Sequence, residues 1–127
     1  MNGNENKYYD YYLLLNHWLE AGHYGHSSAE YFEQAGMKNI AIYGMGDLAN
    51  RLMEELKGTD ITVAYGIDRD AAVSVSRIGE VYSPQDQLAE VDAVIVTPIT
   101  AYESVKDLLQ EKMQAKIISL EEVIWSI

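Results

Sequence analysis

The sequence predicts an α/β fold of three layers, αβα, with a five-stranded parallel sheet in the order 3-2-1-4-5, preceded by an N-terminal helical extension. Three observations predict it. Short, almost continuously apolar runs, such as Ile40-Ala41-Ile42-Tyr43 and Ala93-Val94-Ile95-Val96, recur along residues 39–127, and strands apolar on both sides belong to parallel sheets covered by helices. Amphipathic helical segments separate these runs, so each connection is a crossover, and right-handed crossovers give that strand order. A glycine turn, Gly44-Met45-Gly46-Asp47-Leu48-Ala49, follows the first run and opens a helix.

Residues 1–38 read as the extension, with two helices. Tyr8, Tyr11, Tyr12, Leu15, Trp18 and Leu19 recur at helical spacing and predict one wide apolar face. Tyr9, Leu13 and Leu14 fall partly outside that face. A helix apolar on more than one side touches more than one surface, here its own domain and a second copy of the chain. After a turn over 22–26, Ser27-Ser28-Ala29-Glu30 is a capping box that starts the second helix, and Gly36 closes it.

Residues 39–127 carry the alternating pattern. The first strand, 39–43, runs into Gly44. Leu48, Ala49, Leu52, Met53 and Leu56 mark the inner face of a helix that stops at Gly58. A second strand over 61–67 ends at Asp68, and a weak third lies near Ile78 to Tyr82. Ser83-Pro84-Gln85-Asp86 predicts a helix start, with serine as cap and proline in the first turn. The clearest buried strand follows at 93–97, then a helix facing inward through Ala101, Val105, Leu108 and Leu109. A last strand at 116–120 and a closing helix at 121–127 complete the pattern. No run supplies a sixth strand.

Composition narrows the function classes. At 127 residues and 48% hydrophobic, the chain can bury one real core. Its 20 acidic residues against 9 basic give a net charge of −11, which repels nucleic acid and anionic lipid. Neither nucleic acid nor a membrane is an expected partner. No apolar run reaches the ~20 residues of a membrane span, and the polar start lacks the order of a signal peptide. The absence of cysteine removes disulfide and thiolate chemistry and fits a reducing cytoplasm, the expected location.

Gly44, Gly46 and Ala49 fall in the spacing of a dinucleotide-binding turn. Gly44 permits the tight turn, Gly46 lets a pyrophosphate approach the backbone, and Ala49 allows close helix packing. The amides of Met45, Gly46, Asp47 and Leu48 then face an anion at a helix start, which requires no lysine. Asp47 either opposes that anion or caps the helix. Asp68, 22 residues beyond Gly46, stands where an acid binds ribose hydroxyls and favours NAD, whereas Arg69 beside it suits a 2′-phosphate. Thr97 and Pro98, at the end of the fourth strand, line the same crevice or simply end the strand. The expected ligand is therefore NAD or a related nucleotide, with no metal and no catalytic residue assigned.

These stretches, with Asp92 through Pro98, resemble the N-terminal half of glucose-fructose-type oxidoreductases, which have NAD(P)-binding Rossmann-like domains. With Tyr65-Gly66-Ile67-Asp68-Arg69 they also resemble the small nucleotide-binding domains of bacterial sugar-nucleotide and polysaccharide enzymes. The likeness covers about 90 residues and specifies a superfamily. Where the oxidoreductases have Glu-Lys-Pro after the fifth strand, this chain has Ser119-Leu120-Glu121-Glu122. The second resemblance implies an accessory, non-catalytic nucleotide-binding module in sugar-nucleotide or polysaccharide metabolism. Two alternatives stay open: a homo-oligomeric scaffold that binds no ligand, and an oxidoreductase subunit completed by a partner chain. Tyr102 and Lys106 match the Tyr-x-x-x-Lys pair of short-chain dehydrogenases, but on the wrong helix for that role. His17, His23 and His26 lack the carboxylate that would complete a metal set.

Overall fold

Strand β1, Asn39–Tyr43, is the centre of the molecule because Ile40, Ala41, Ile42 and Tyr43 are all buried and need cover on both faces. The computed structural model describes residues 3–71 and 79–127. Four further strands lie parallel to β1: β2 (Thr62–Ile67), β3 (Val81–Tyr82), β4 (Ala93–Val96) and β5 (Lys116–Ser119). Their order is β3-β2-β1-β4-β5, as the crossover rule requires. The weak third strand is two residues long, and Ile78 lies outside the described residues.

Two apolar clusters cover the sheet. On one face α1 (Gly3–His23), α2 (Ser28–Ala35), α3 (Asp47–Leu56) and α5 (Leu120–Trp125) pack on Ile40, Ile42 and Ile95. On the other, α4 (Tyr102–Gln110) and the β3–β4 connection pack on Ala41, Tyr65, Val94 and Ile117. Leu14, Trp18 and Phe32 belong to the first cluster, so the N-terminal helices share the core of the sheet. Ser27 caps α2 through its side chain, and Gly36 ends it at φ 73°, as the capping signals predicted. No helix among the described residues is long and apolar enough to cross a membrane.

The inner face of α1 differs from the expected stripe. The packed row is Tyr11, Leu14, Trp18 and Ala21, with Leu14 fully buried, while Tyr8, Tyr12 and Leu19 are 60–70% exposed, at 70%, 62% and 69%. Periodicity was ambiguous because this helix is apolar almost all round. Polar partners decide its orientation. The Trp18 indole donates to both Glu55 carboxylate oxygens at 3.1 and 3.0 Å, and Glu55 also accepts from the Ser28 amide at 2.6 Å. His17 bonds the Ile127 carbonyl at 3.1 Å and stacks on Trp125 at 4.4 Å. These groups lie on one side of α1, and that side must face the core.

The helix expected from Ser83 does not form. Its start signal is genuine: Ser83 Oγ accepts from the Gln85 amide, and Asp86 accepts from the Ser83 amide. The chain makes one turn and then runs extended. Lys112 donates to the Pro84 and Asp86 carbonyls at 2.8 and 2.6 Å, while the Tyr65 hydroxyl donates to the Ala89 carbonyl. Geometry explains the loss. From β3 the chain must pass β2 and β1 to reach β4, about three strand spacings or ~14 Å sideways, and also return along the strands. The short segment between Tyr82 and Ala93 covers that only if extended, since a helix rises ~1.5 Å per residue.

Leu14→Ala should lower stability by about 3 kcal/mol in urea unfolding, because it empties a filled core site. Leu19→Ala, one helical face away, should change it by less than about 0.5 kcal/mol. Equal effects would mean that α1 does not pack as described.

Candidate functional site

The C-terminal ends of β1 and β4 are drawn so close that only glycine fits between them. Gly44 has φ 92°, and a Cβ there would lie 2.7 Å from Thr97 Oγ1 and 2.8 Å from Pro98 Cδ. Thr97 is buried, and its hydroxyl donates to the Tyr43 and Gly44 carbonyls at 3.0 and 3.1 Å. Sequence reasoning placed Thr97 and Pro98 at the crevice, and they are there. The threonine hydroxyl uses its proton within the fold, holding β4 to the turn. Pro98 precedes a 3₁₀ turn, Ile99–Ala101, that leads into α4.

Beyond Gly44 the chain rises into α3. Gly46 is the residue that caps the helix start, it has no side chain to do so, and Asp47 is the first helical residue. The capping role considered for Asp47 therefore falls to Gly46, whose first-turn amides carry no side-chain cap. Gly46 itself has φ −100°, extended backbone open to any residue, and an added Cβ would meet nothing within 4 Å. Met45 and Leu48 pack against the first core cluster and also border the crevice.

Asp68 comes to the same turn from β2, because the Gly44 amide donates to the Ile67 carbonyl at 2.8 Å and fixes the two strand ends together. Its Oδ2 accepts from the Met45 amide at 2.8 Å, and its Oδ1 accepts from the Asp70 amide at 2.8 Å. A carboxylate offers about four acceptor positions, so room remains for hydroxyl donors. Arg69 is exposed beside it. Burial pushes the Tyr43 phenol above its usual range, Arg69 draws it back, and Asp68 adds to the rise. Both charges thus act on the end of β1.

Two cavities meet along Gly44, Asp68 and Pro98. One of about 540 Å³ lies over the glycine turn and extends to Lys7, Tyr8 and Tyr11 of α1. The other, about 550 Å³, is bounded by Tyr43, Arg69, Gln85, Ser104 and Leu108. All nine residues singled out in the sequence (Gly44, Met45, Gly46, Asp47, Leu48, Asp68, Arg69, Thr97 and Pro98) border one or both. The α1 residues in the wall were missed, since nothing local in a helix sequence says which strand ends it will cross. A larger groove of about 760 Å³ between α1 and α3 lies away from this turn and is mostly apolar.

The remaining polar motifs have structural partners. The Tyr102 hydroxyl donates to the Ile117 carbonyl at 2.9 Å, and Lys106 sits over its ring. His26 pairs with Glu30 on the surface. Among the described residues no group of three or more potential ligands could hold a metal ion.

The two glycines should respond differently to alanine. Gly44→Ala should cost more than about 2 kcal/mol, from strain at positive φ and collision with Thr97 and Pro98. Gly46→Ala should change stability by less than about 1 kcal/mol, and chemical denaturation of both variants checks the contrast. No protein-family model and no curated protein matches the sequence.

Proposed function

We propose that the chain is a nucleotide-binding module whose ligand is NAD(H) or a nucleotide sugar. The observation that carries this reading is Gly46. Neither backbone conformation nor packing asks for glycine there, and the missing side chain leaves the uncapped start of α3 open to the cavity. A phosphate placed there meets neutral amides and the positive end of the helix. Asp68, beside it, has acceptor capacity left for ribose hydroxyls. An accessory, non-catalytic role in sugar-nucleotide or polysaccharide metabolism follows from the likeness of the turn to such domains.

A thermal-shift panel of NAD, NADP, ADP, UDP-glucose and coenzyme A tests the reading. A ligand at 100 times its Kd should add about 2.7 kcal/mol, or roughly 10 °C in Tm. Gly46→Arg should abolish the shift while leaving the unliganded Tm unchanged. A flat response to the whole panel would refute the proposal.

The outward face of α1 favours a second reading, a homodimer through this helix. Tyr8, Tyr12, Leu15 and Leu19 form a row at helical spacing and stand exposed, and two copies related by a two-fold axis can cover such a row. Charge opposes the pairing, at −11 per copy, so association should strengthen with salt. Light scattering should show a dimer that Tyr12→Glu with Leu19→Glu converts to monomer. A monomer for the unmodified chain at micromolar concentration and high salt removes this reading.

A further inference from the structure

Helix α1 was expected to serve packing and self-association, yet its first turns form a wall of the cavity over the glycine turn. Lys7, Tyr8, Tyr11 and Leu15 occupy one side of the helix and face Gly44, Gly46 and Asp47 across it. The placement is fixed. The Tyr11 hydroxyl accepts from the Ile99 amide at 3.2 Å, which ties α1 to the chain just beyond β4. The Lys7 ammonium stands 6.0 Å from the centre of the Tyr11 ring, at the outer limit of a cation–π contact.

Charge gives this wall its meaning. Asp47 and Asp68 both border the cavity, and among the described residues Lys7 is the one cation that does. A phosphoryl group entering there meets two carboxylates and the field of a strongly acidic chain. Amides alone offset little of that repulsion, whereas an ammonium at the mouth offsets it directly. Ion pairs among the described residues do not occupy Lys7.

We infer that Lys7 is a ligand-binding residue, the counter-charge for the phosphates of a nucleoside diphosphate held over Gly46, and that Tyr11 positions it by anchoring α1 across β4. The inference rests on the nucleotide reading above and assigns its charge recognition to the N-terminal helix. It makes the site selective for phosphorylated over unphosphorylated nucleosides. It also makes the affinity depend on a segment outside the sheet.

Titration calorimetry with ADP and UDP, and with adenosine and uridine as their unphosphorylated counterparts, provides the test. Lys7→Met should weaken diphosphate binding about tenfold, flatten its salt dependence, and leave nucleoside binding unchanged. Lys7→Arg should retain most of the affinity. Lys57→Met, at the far end of α3, should have no effect. Lys7 is only half-buried, so equal unliganded Tm values should confirm folding of every variant. If Lys7→Met binds the diphosphates as the unmodified chain does, while Gly46→Arg does not, this inference fails and the nucleotide reading stands. If the unmodified chain binds neither diphosphate, this inference fails; if the ligand panel above is flat as well, the nucleotide reading falls with it.

Discussion

The structure depends on how tightly β1 and β4 converge at Gly44. Parallel strands separated by one position in the order bring their C-terminal ends side by side, and the chains leaving them must diverge to opposite faces. Here Thr97 clamps that point by bonding two successive carbonyls, and no Cβ fits between the strands. The chain after Gly44 is forced up and over into α3, while the chain after Thr97 turns through Pro98 toward α4 on the other face. The crevice is what remains between them. Its position follows from strand order, as in other open parallel sheets.

A second consequence concerns the acidic surface. A chain with this excess of carboxylates must place some of them where they stabilise the fold. Glu55 closes the junction of α1, α2 and α3 by accepting from an indole and a backbone amide. Asp92 accepts from the Lys38 and Asn39 amides at the entry to β1, which holds its carboxyl below the usual range. Glu90 accepts from the Gln114 amide. In each case a carboxylate satisfies backbone donors that a short loop leaves without partners. Asp68 follows the same rule at the crevice, with the Met45 amide as its donor.

The sheet, its order and the glycine turn were legible because each rests on local signals that agree with one another. The buried runs at β1 and β4, the capping box at Ser27 and the closing Gly36 point to the elements they form. Two features were not legible, for one reason. The face of α1 is chosen by Glu55, Ile127 and Ile99, which are distant in sequence. The fate of the Ser83 turn is chosen by Lys112 and by the distance the chain must cover to β4. Local pattern determines whether an element can start. Long-range partners determine whether it continues and which way it faces. The same limit applies to the candidate site, where all nine expected residues adjoin the crevice but its α1 wall came only from tertiary packing.

Asp68 shows why fold and ligand readings are coupled at this site. By accepting from the Met45 amide it fixes the turn before anything binds, so a ligand has no loop to order. The same bond removes one amide from the set that could receive a phosphate and leaves those at the start of α3. A ligand that used Met45 instead would have to displace a carboxylate and leave it facing an anion. On the proposed reading, a ligand would therefore place its phosphate at Gly46 and the start of α3 and offer hydroxyls to Asp68. On the proposed nucleotide reading, a ribose joined to a diphosphate offers both groups, and a free phosphate offers only one of them.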